Sequence, residues 1–298
     1  MFTVANIITG FNLLCGVSSI IFTFSGRLEL AVLAIIAGAV FDFFDGFVAR
    51  ILKQPSELGK QLDSLADLIT FGVAPGLIVF VLLILSGAWD IILESGGGLN
   101  ELWLDGTMGF SVQLWVSVFM NDLVGNNSPF LPTHFYGWYK VMPFFALLIP
   151  FMSMFRLAKF NLDERQATGF IGLPTPANSL FFAAFALMLW DGFGQDNWKT
   201  VVSMTLIKDQ VLLTLVVVFS ILLVSEIPLF ALKFTTFKWK GNEIRYSFLL
   251  TSLVIILFLW AWAIPIIVIL YILLSVVNNK VGRITNYGTA MDDIEKDL

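Results

Sequence analysis

FDFFDGFVARILKQPSELGKQLDSLADLITFG, residues 41–72, sets four aspartates within twenty-six positions of a chain otherwise crowded with Leu, Ile, Val and Phe. Asp42 and Asp45 are three apart and Asp63 and Asp67 four apart, so each pair shares one face of a helix. The segment between them, ILKQPSELGKQ (51–61), is polar and holds Pro55 and Gly59, which suits a turn between two helices that return antiparallel. Such a hairpin brings all four carboxylates to one depth.

The rest of the chain makes that gathering expensive. Of its 298 residues, 58% are hydrophobic and 13% charged, and its mean hydropathy of +0.87 belongs to a membrane protein. A crossing of a hydrocarbon core about 30 Å thick takes roughly 20 apolar residues. Suitable windows fall at 5–25, 29–50, 62–87, 139–158, 173–192 and 210–232, followed by a longer run at 246–279. WAWAIP (260–265) interrupts that run with proline and interfacial tryptophan, so two short helices joined by a tight turn are expected there. The first window lacks the small-residue cleavage site of a removed signal peptide and is kept as structure.

Basic residues fall in alternate loops and in the tail: Arg50, Lys53 and Lys60; Arg156, Lys159 and Arg165; Lys233, Lys238, Lys240 and Arg245; Lys280, Arg283 and Lys296. The other side receives only Arg27, Lys140, Lys199 and Lys208. The positive-inside rule therefore places both termini in the cytoplasm and requires an even number of crossings, for which eight are expected. An all-α polytopic helix bundle follows, a single transmembrane catalytic domain over 1–285 with a polar cytoplasmic tail at 286–298. The outward loop 88–138 carries an apolar stretch, Met108–Met120, expected to form an interfacial or re-entrant helix.

Cys15 is the sole cysteine and His134 the sole histidine, which excludes an intramolecular disulfide and argues against a histidine metal cluster or a Ser-His-Asp triad. Chemistry falls to the carboxylates. One ionised Asp near the bilayer centre costs about 2.5–3.5 kcal/mol even on a lenient scale, so four together need compensation. Arg50, Lys53 and Lys60 stand at the rim, whereas two divalent cations match four negative charges. Oxygen-only ligation suits Mg²⁺ or Mn²⁺ shared with substrate phosphates. Gly46 and Ala49 let a ligand or helix approach the backbone, and the planar guanidinium of Arg50 suits phosphate oxygens. Solvated helix-end charges explain one acidic pair, but not four carboxylates in this setting. Nucleic acid is not an expected partner.

Written as Asp42-x2-Asp45-Gly46-x2-Ala49-Arg50-x8-Gly59-x3-Asp63-x3-Asp67, the segment resembles the signature of the CDP-alcohol phosphatidyltransferase family at all eight fixed positions. The resemblance implies a core of six transmembrane helices, to which this chain adds two spans, and transfer of a phosphatidyl group from a CDP-lipid to an alcohol with release of CMP. It implies that Asp42, Asp45, Asp63 and Asp67 hold two divalent cations and that Asp67 is also the base. Gly46, Arg50, Ser56 and Gly59 would contact the CDP portion, joined by Asn6 and Thr9 of ANIITGFN (5–12), where Ala5 stands in place of a common proline.

Around the motif, FRLAKFN (155–161), GLPTPAN (172–178) and KWKGNEIRYSF (238–248) resemble the branch of bacteria and archaea whose acceptor is L-serine. CDP-diacylglycerol and L-serine are thus the expected substrates, at a site on the cytoplasmic side of the cell (inner) membrane. Membrane lipid surrounds the bundle, and the family resemblance implies a homodimer. Arg156 and Lys159, three apart, are candidates for the serine carboxylate or a lipid phosphate, with Asn161 beside them; the plainer role is that of positive-inside anchors. Another alcohol, such as glycerol 3-phosphate, inositol or an amino alcohol, is the alternative acceptor. A cation transporter would explain the acids but not Gly46, Ala49, Arg50 and Gly59 at fixed offsets.

Overall fold

The computed structural model describes residues 3–52, 56–103, 107–125, 134–162, 170–193, 198–229, 239 and 242–278. The expected cytoplasmic tail lies outside them. The chain runs through α1 (Val4–Phe24), α2 (Leu28–Ile51) and α3 (Glu57–Asp67), then a π-helical turn, Leu68–Val73, that leads straight into α4 (Ala74–Glu94). A short α5 (Leu99–Leu102) precedes α6 (Met108–Leu123); α7 (Trp138–Val141) passes through a 3₁₀ turn, Met142–Leu147, into α8 (Leu148–Leu162). Then follow α9 (Thr175–Gly192), α10 (Trp198–Leu206), α11 (Asp209–Val224), α12 (Glu243–Leu259) and a last helix, α13 (263–278). Two residues each of β1 (Phe170–Ile171) and β2 (Pro228–Leu229) pair antiparallel, a feature with no counterpart in the sequence expectation.

Among the described residues, five helical runs are long and apolar enough to span a membrane, or six if α10 and α11, bent by 58°, count as one. Two physical reasons account for the gap between that tally and the expected eight. First, α9 is 18 residues long and begins with polar Thr175 and Asn178, which lowers its hydropathy. Second, the run Glu243–Asn278, one continuous candidate by length, doubles back. Trp260 takes φ 48°, and the rings of Phe248 and Tyr271 lie 5.8 Å apart, where a straight helix would separate them by about 35 Å. The geometry outweighs the length tally, and the turn falls at WAWAIP.

The helices turn the usual soluble pattern inside out. On α1 the buried positions are Ala5, Thr9, Asn12, Gly16, Ser19 and Thr23, while Val4, Ile7, Phe11, Leu14 and Ile21 are exposed. Small and polar side chains let helices approach closely where lipid supplies no hydrophobic drive. The centre is α4, whose span is 78% buried and which touches α1, α6, α8, α9 and α11. Helix α6, which holds the stretch Met108–Met120 expected to form an interfacial or re-entrant helix, buries Val112, Trp115, Val118 and Phe119.

Loop contacts sort into two ends. At one, Gln113 Nε2 donates to Ser25 O at 2.8 Å, Trp103 meets Phe193 with centroids 5.1 Å apart, and Asp191 accepts from Lys199 at 2.9 Å and from Trp262 Nε1 at 2.8 Å. At the other, Lys60 Nζ donates to Asn161 O at 2.8 Å, Lys159 pairs with Glu226 at 3.1 Å, and β1 pairs with β2. This is the alternation that the basic residues suggested.

The tightest packing lies beside the aspartates. A Cβ on Gly16 would sit 2.5 Å from Thr70 Oγ1 and 2.8 Å from Thr70 Cα, so α1 rests directly on the π-helical backbone. Gly16→Ala is expected to cost about 1–3 kcal/mol through overpacking, seen as a lower thermal midpoint in detergent. Gly10→Ala, whose Cβ meets nothing within 4 Å, should leave that midpoint unchanged or higher.

Candidate active site

Helix geometry alone aligns the acids. Asp42 lies nine residues before the end of α2 and Asp67 ten residues after the start of α3, so both sit about 14–15 Å from the connection at 1.5 Å per residue. Asp45 and Asp63, six residues from the same points, both sit about 9 Å in. Helices α2 and α3 do not press together along their length; α1 packs on both and closes one side of the cleft between them.

Across that cleft, one carboxylate oxygen each from Asp42, Asp63 and Asp67 lies within 4.8 Å of the others, close enough to hold one cation. Asp45 stands outside this trio, 6% exposed, and accepts the Thr9 hydroxyl at 2.7 Å. Asp67, 8% exposed, accepts from Asn12 Nδ2 at 3.0 Å. Asp63 Oδ1 is buried without a hydrogen-bond partner. An orphaned carboxylate oxygen beside two more acids is a chemical misfit unless a cation joins them, so this donor set fits a hard divalent ion.

A cavity of about 220 Å³ opens beside the trio, lined by Ala5, Asn6, Thr9, Asp45, Gly46, Ala49, Ser56, Gly59, Lys60 and Asp63. Gly46 has nothing within 4 Å of a hypothetical Cβ, so its small size serves this opening and not helix packing. At Gly59 a Cβ would come within 3.1 Å of Asn6 Oδ1. Ser56 caps α3 by accepting from Gly59 N at 3.0 Å, which orients the first turn below Asp63. Arg50 is exposed, and its Nε donates to Gly46 O at 2.8 Å. It therefore stands at the mouth of the cavity, not in its wall.

The three serine-site candidates part ways. Arg156 is 7% exposed, stacks over Phe160 at 4.9 Å and lies within electrostatic reach of Asp42, Asp67 and Tyr271. Lys159 turns instead to exposed Glu226. Asn161 is tied to α3, with Nδ2 donating to Ser64 Oγ at 2.7 Å. His134 is remote, at the opposite end, with Nδ1 3.2 Å from Asp122 Oδ1. Two contributors carried no expectation. Asn12, three residues after Thr9, was readable as sharing its helix face. The π-helical turn, whose Thr70 Oγ1 donates to Asn12 O at 2.9 Å, left no periodic trace.

Residues 2–96 match the family model described as CDP-alcohol phosphatidyltransferase. The CDP-diacylglycerol--serine O-phosphatidyltransferase of Bacillus subtilis is 30% identical over 178 residues, 60% of this chain and 69% of that protein. Its Mycobacterium leprae counterpart is 29% identical over 215 residues, 67% of this chain but 54% of the relative. The Saccharomyces cerevisiae enzyme of the same name is 44% identical over 85 residues, 26% of this chain and 31% of the relative. The chain belongs to the CDP-alcohol phosphatidyltransferase family.

Because Asn12 holds Asp67, Asn12→Leu should weaken divalent-ion affinity about 10- to 100-fold, the usual effect of losing an outer partner of a ligand. Titrating the apoprotein with Mn²⁺ by calorimetry measures it; wild-type affinity would mean that the bond does not orient Asp67.

Proposed function

We propose that this protein transfers the phosphatidyl group of CDP-diacylglycerol to L-serine, giving phosphatidylserine and CMP. The observation that carries the reading is the convergence of Asp42, Asp63 and Asp67 beside a cavity whose wall includes Asn6, Thr9, Asp45, Gly46, Ser56 and Gly59. Those are the positions at which the motif implies metal and CDP contacts. The shared name of relatives from Bacillus, Mycobacterium and yeast supports serine over another acceptor.

Asp42, Asp45, Asp63 and Asp67 would hold two divalent cations, Mg²⁺ or Mn²⁺. When bound, such ions neutralise the diphosphate and the developing charge on the leaving group. The chain's own groups do the remainder. Thr9 fixes Asp45 in the cavity wall and Asn12 fixes Asp67, and Asn6, Gly46, Ser56, Gly59 and Arg50 receive the CDP portion. Asp67 takes the proton from the serine hydroxyl as its oxygen bonds to the β-phosphorus. The bond from that phosphorus to the CMP oxygen breaks in line, and CMP leaves with the electron pair. Diacylglycerol tails stay in lipid while the polar reactants enter from the end that carries Lys60, Lys159 and β1, which we assign to the cytoplasm. The catalytic unit spans 1–285 and works as a homodimer in the cell membrane.

Purified protein given CDP-diacylglycerol, a divalent ion and a panel of labelled alcohols should form phosphatidylserine; another lipid product in its absence would move the acceptor to that alcohol. EDTA should abolish turnover and added Mn²⁺ or Mg²⁺ restore it. Asp67→Asn should lower kcat by at least about 10²-fold, the low end of a general base's contribution, while much CDP-lipid binding survives. Near-normal kcat would remove Asp67 from that role.

A further inference from the structure

A second group of polar side chains, none of them in the lining of the CDP cavity, is buried and unsatisfied among the described residues. Asn178 is fully buried, and neither its Oδ1 nor its Nδ2 has a hydrogen-bond partner. Thr175 Oγ1 on the same helix and Ser153 Oγ on α8 are likewise buried and unpaired. Arg156, one turn beyond Ser153, makes no hydrogen bond or ion pair among the described residues, although its guanidinium is in a residue only 7% exposed. Leaving one such group unmet costs roughly 1–3 kcal/mol, and a charged one more. A cluster of them marks a place made for something polar.

The folding of the segment shows that the cluster is built. Gly172, at φ +78°, lets the backbone run against α11, where a Cβ would meet Leu223 O at 2.6 Å. Gly172 N donates to Ile227 O at 2.9 Å and Leu173 N to Leu222 O at 3.0 Å. Pro174 then caps α9 with its backbone, and Pro176 occupies the first turn. This anchoring fixes the start of α9. Thr175, Asn178 and Phe181 share one face by their spacing of three, and that face looks inward, since the Phe181 ring stacks on Phe219 of α11 at 3.8 Å. Helix α9 also packs on α2, α8 and the π-helical turn after Asp67. Ser153 faces the same turn: a Cβ on Gly72 would lie 3.1 Å from its Cβ.

We propose that Asn178 and Thr175, together with Arg156, receive the acceptor's α-amino and α-carboxylate groups. The inference rests on the reading of an amino-acid acceptor above. A guanidinium offers paired donors to a carboxylate. The Asn178 amide offers a donor to the same group and a carbonyl acceptor to an ammonium. Arg156 feels the carboxylates of Asp42 and Asp67 but donates no hydrogen bond among the described residues, and a partner for its donors has two sources on offer, the acceptor carboxylate or a phosphate of the CDP-lipid. A phosphate leaves the Asn178 carbonyl unmet, and the CDP cavity is lined by neither Arg156 nor Asn178, so the carboxylate is assigned.

The test is steady-state kinetics of the purified full chain, varying L-serine and CDP-diacylglycerol separately, for wild type, Asn178→Ala, Asn178→Asp and Thr175→Val. Each variant is expected to raise KM for L-serine roughly ten- to hundredfold, the range for a buried hydrogen bond to a charged group, with KM for CDP-diacylglycerol within about twofold. Serinol, which lacks the carboxylate, should gain on L-serine in kcat/KM in the variants. A raised KM for CDP-diacylglycerol with that for serine unchanged would overturn the proposal in favour of a lipid phosphate, and no change in either would overturn it outright. Wild-type protein that makes no phosphatidylserine would remove the acceptor reading and this pocket together; wild-type turnover with unaltered variants removes the pocket alone. Thr175→Val keeps the side-chain shape, so its serine KM decides the matter should both Asn178 variants misfold.

Discussion

Three carboxylates with oxygens inside 4.8 Å of one another repel, pair by pair, by about 3 kcal/mol at an effective dielectric of 20. Asp42 and Asp63 are half-buried and Asp67 is buried, so solvent disperses that conflict only in part. The acids are nevertheless held together from two helices by a third. Thr9 fastens Asp45 and Asn12 fastens Asp67, so α1 resists the separation that repulsion would drive. The result is a cluster of negative charge that Arg156 offsets in part and that a bound cation would relieve further, so the cluster can serve as a binding device.

The π-helical turn extends this logic into the core. By inserting extra backbone immediately after Asp67, it carries Thr70 toward α1, where the hydroxyl donates to the Asn12 carbonyl. Asn12 thus touches Asp67 through its side chain and the turn through its backbone. Gly16 and Gly38 clear the approach, each with Thr70 atoms 2.5 Å from a hypothetical Cβ. Turns of this type are found mostly at functional positions because they disturb helical register. Here the disturbance fixes one carboxylate against one helix.

The large features were legible because they obey simple periods. Carboxylates at spacings of three and four around a polar turn are one face of a hairpin on any helical reading, and WAWAIP broke the last apolar run where Trp260 in fact reverses it. Basic residues in alternate loops gave the sorting of loops into two ends. What escaped detection has no period. The cleft between α2 and α3 depends on α1 wedging beside them, a tertiary fact. The π turn is one residue of slippage in an apolar run. Lys159 and Arg156, equivalent as charges three apart, are divided by α8 itself: one side chain reaches exposed Glu226 and the other enters the core. Asn178 read as part of a proline-marked helix start, since an amide without a partner is visible only after the partners have been placed.

In-line displacement adds a constraint on where the two proposed substrates can sit. The entering and leaving oxygens must flank the phosphorus, so nucleotide and acceptor approach the carboxylates from opposite directions. In the proposed reaction the nucleotide occupies the opening formed by α1 and the facing ends of α2 and α3. The π turn after Asp67 packs against α8 and α9, where Ser153, Thr175 and Asn178 carry buried side-chain atoms with no hydrogen-bond partner among the described residues and Arg156 lies buried within electrostatic reach of Asp67. On the proposed reading, Asp67 stands between the nucleotide and the side chains assigned to the acceptor. A base must occupy that position to take a proton from one reactant while its neighbours grip the other.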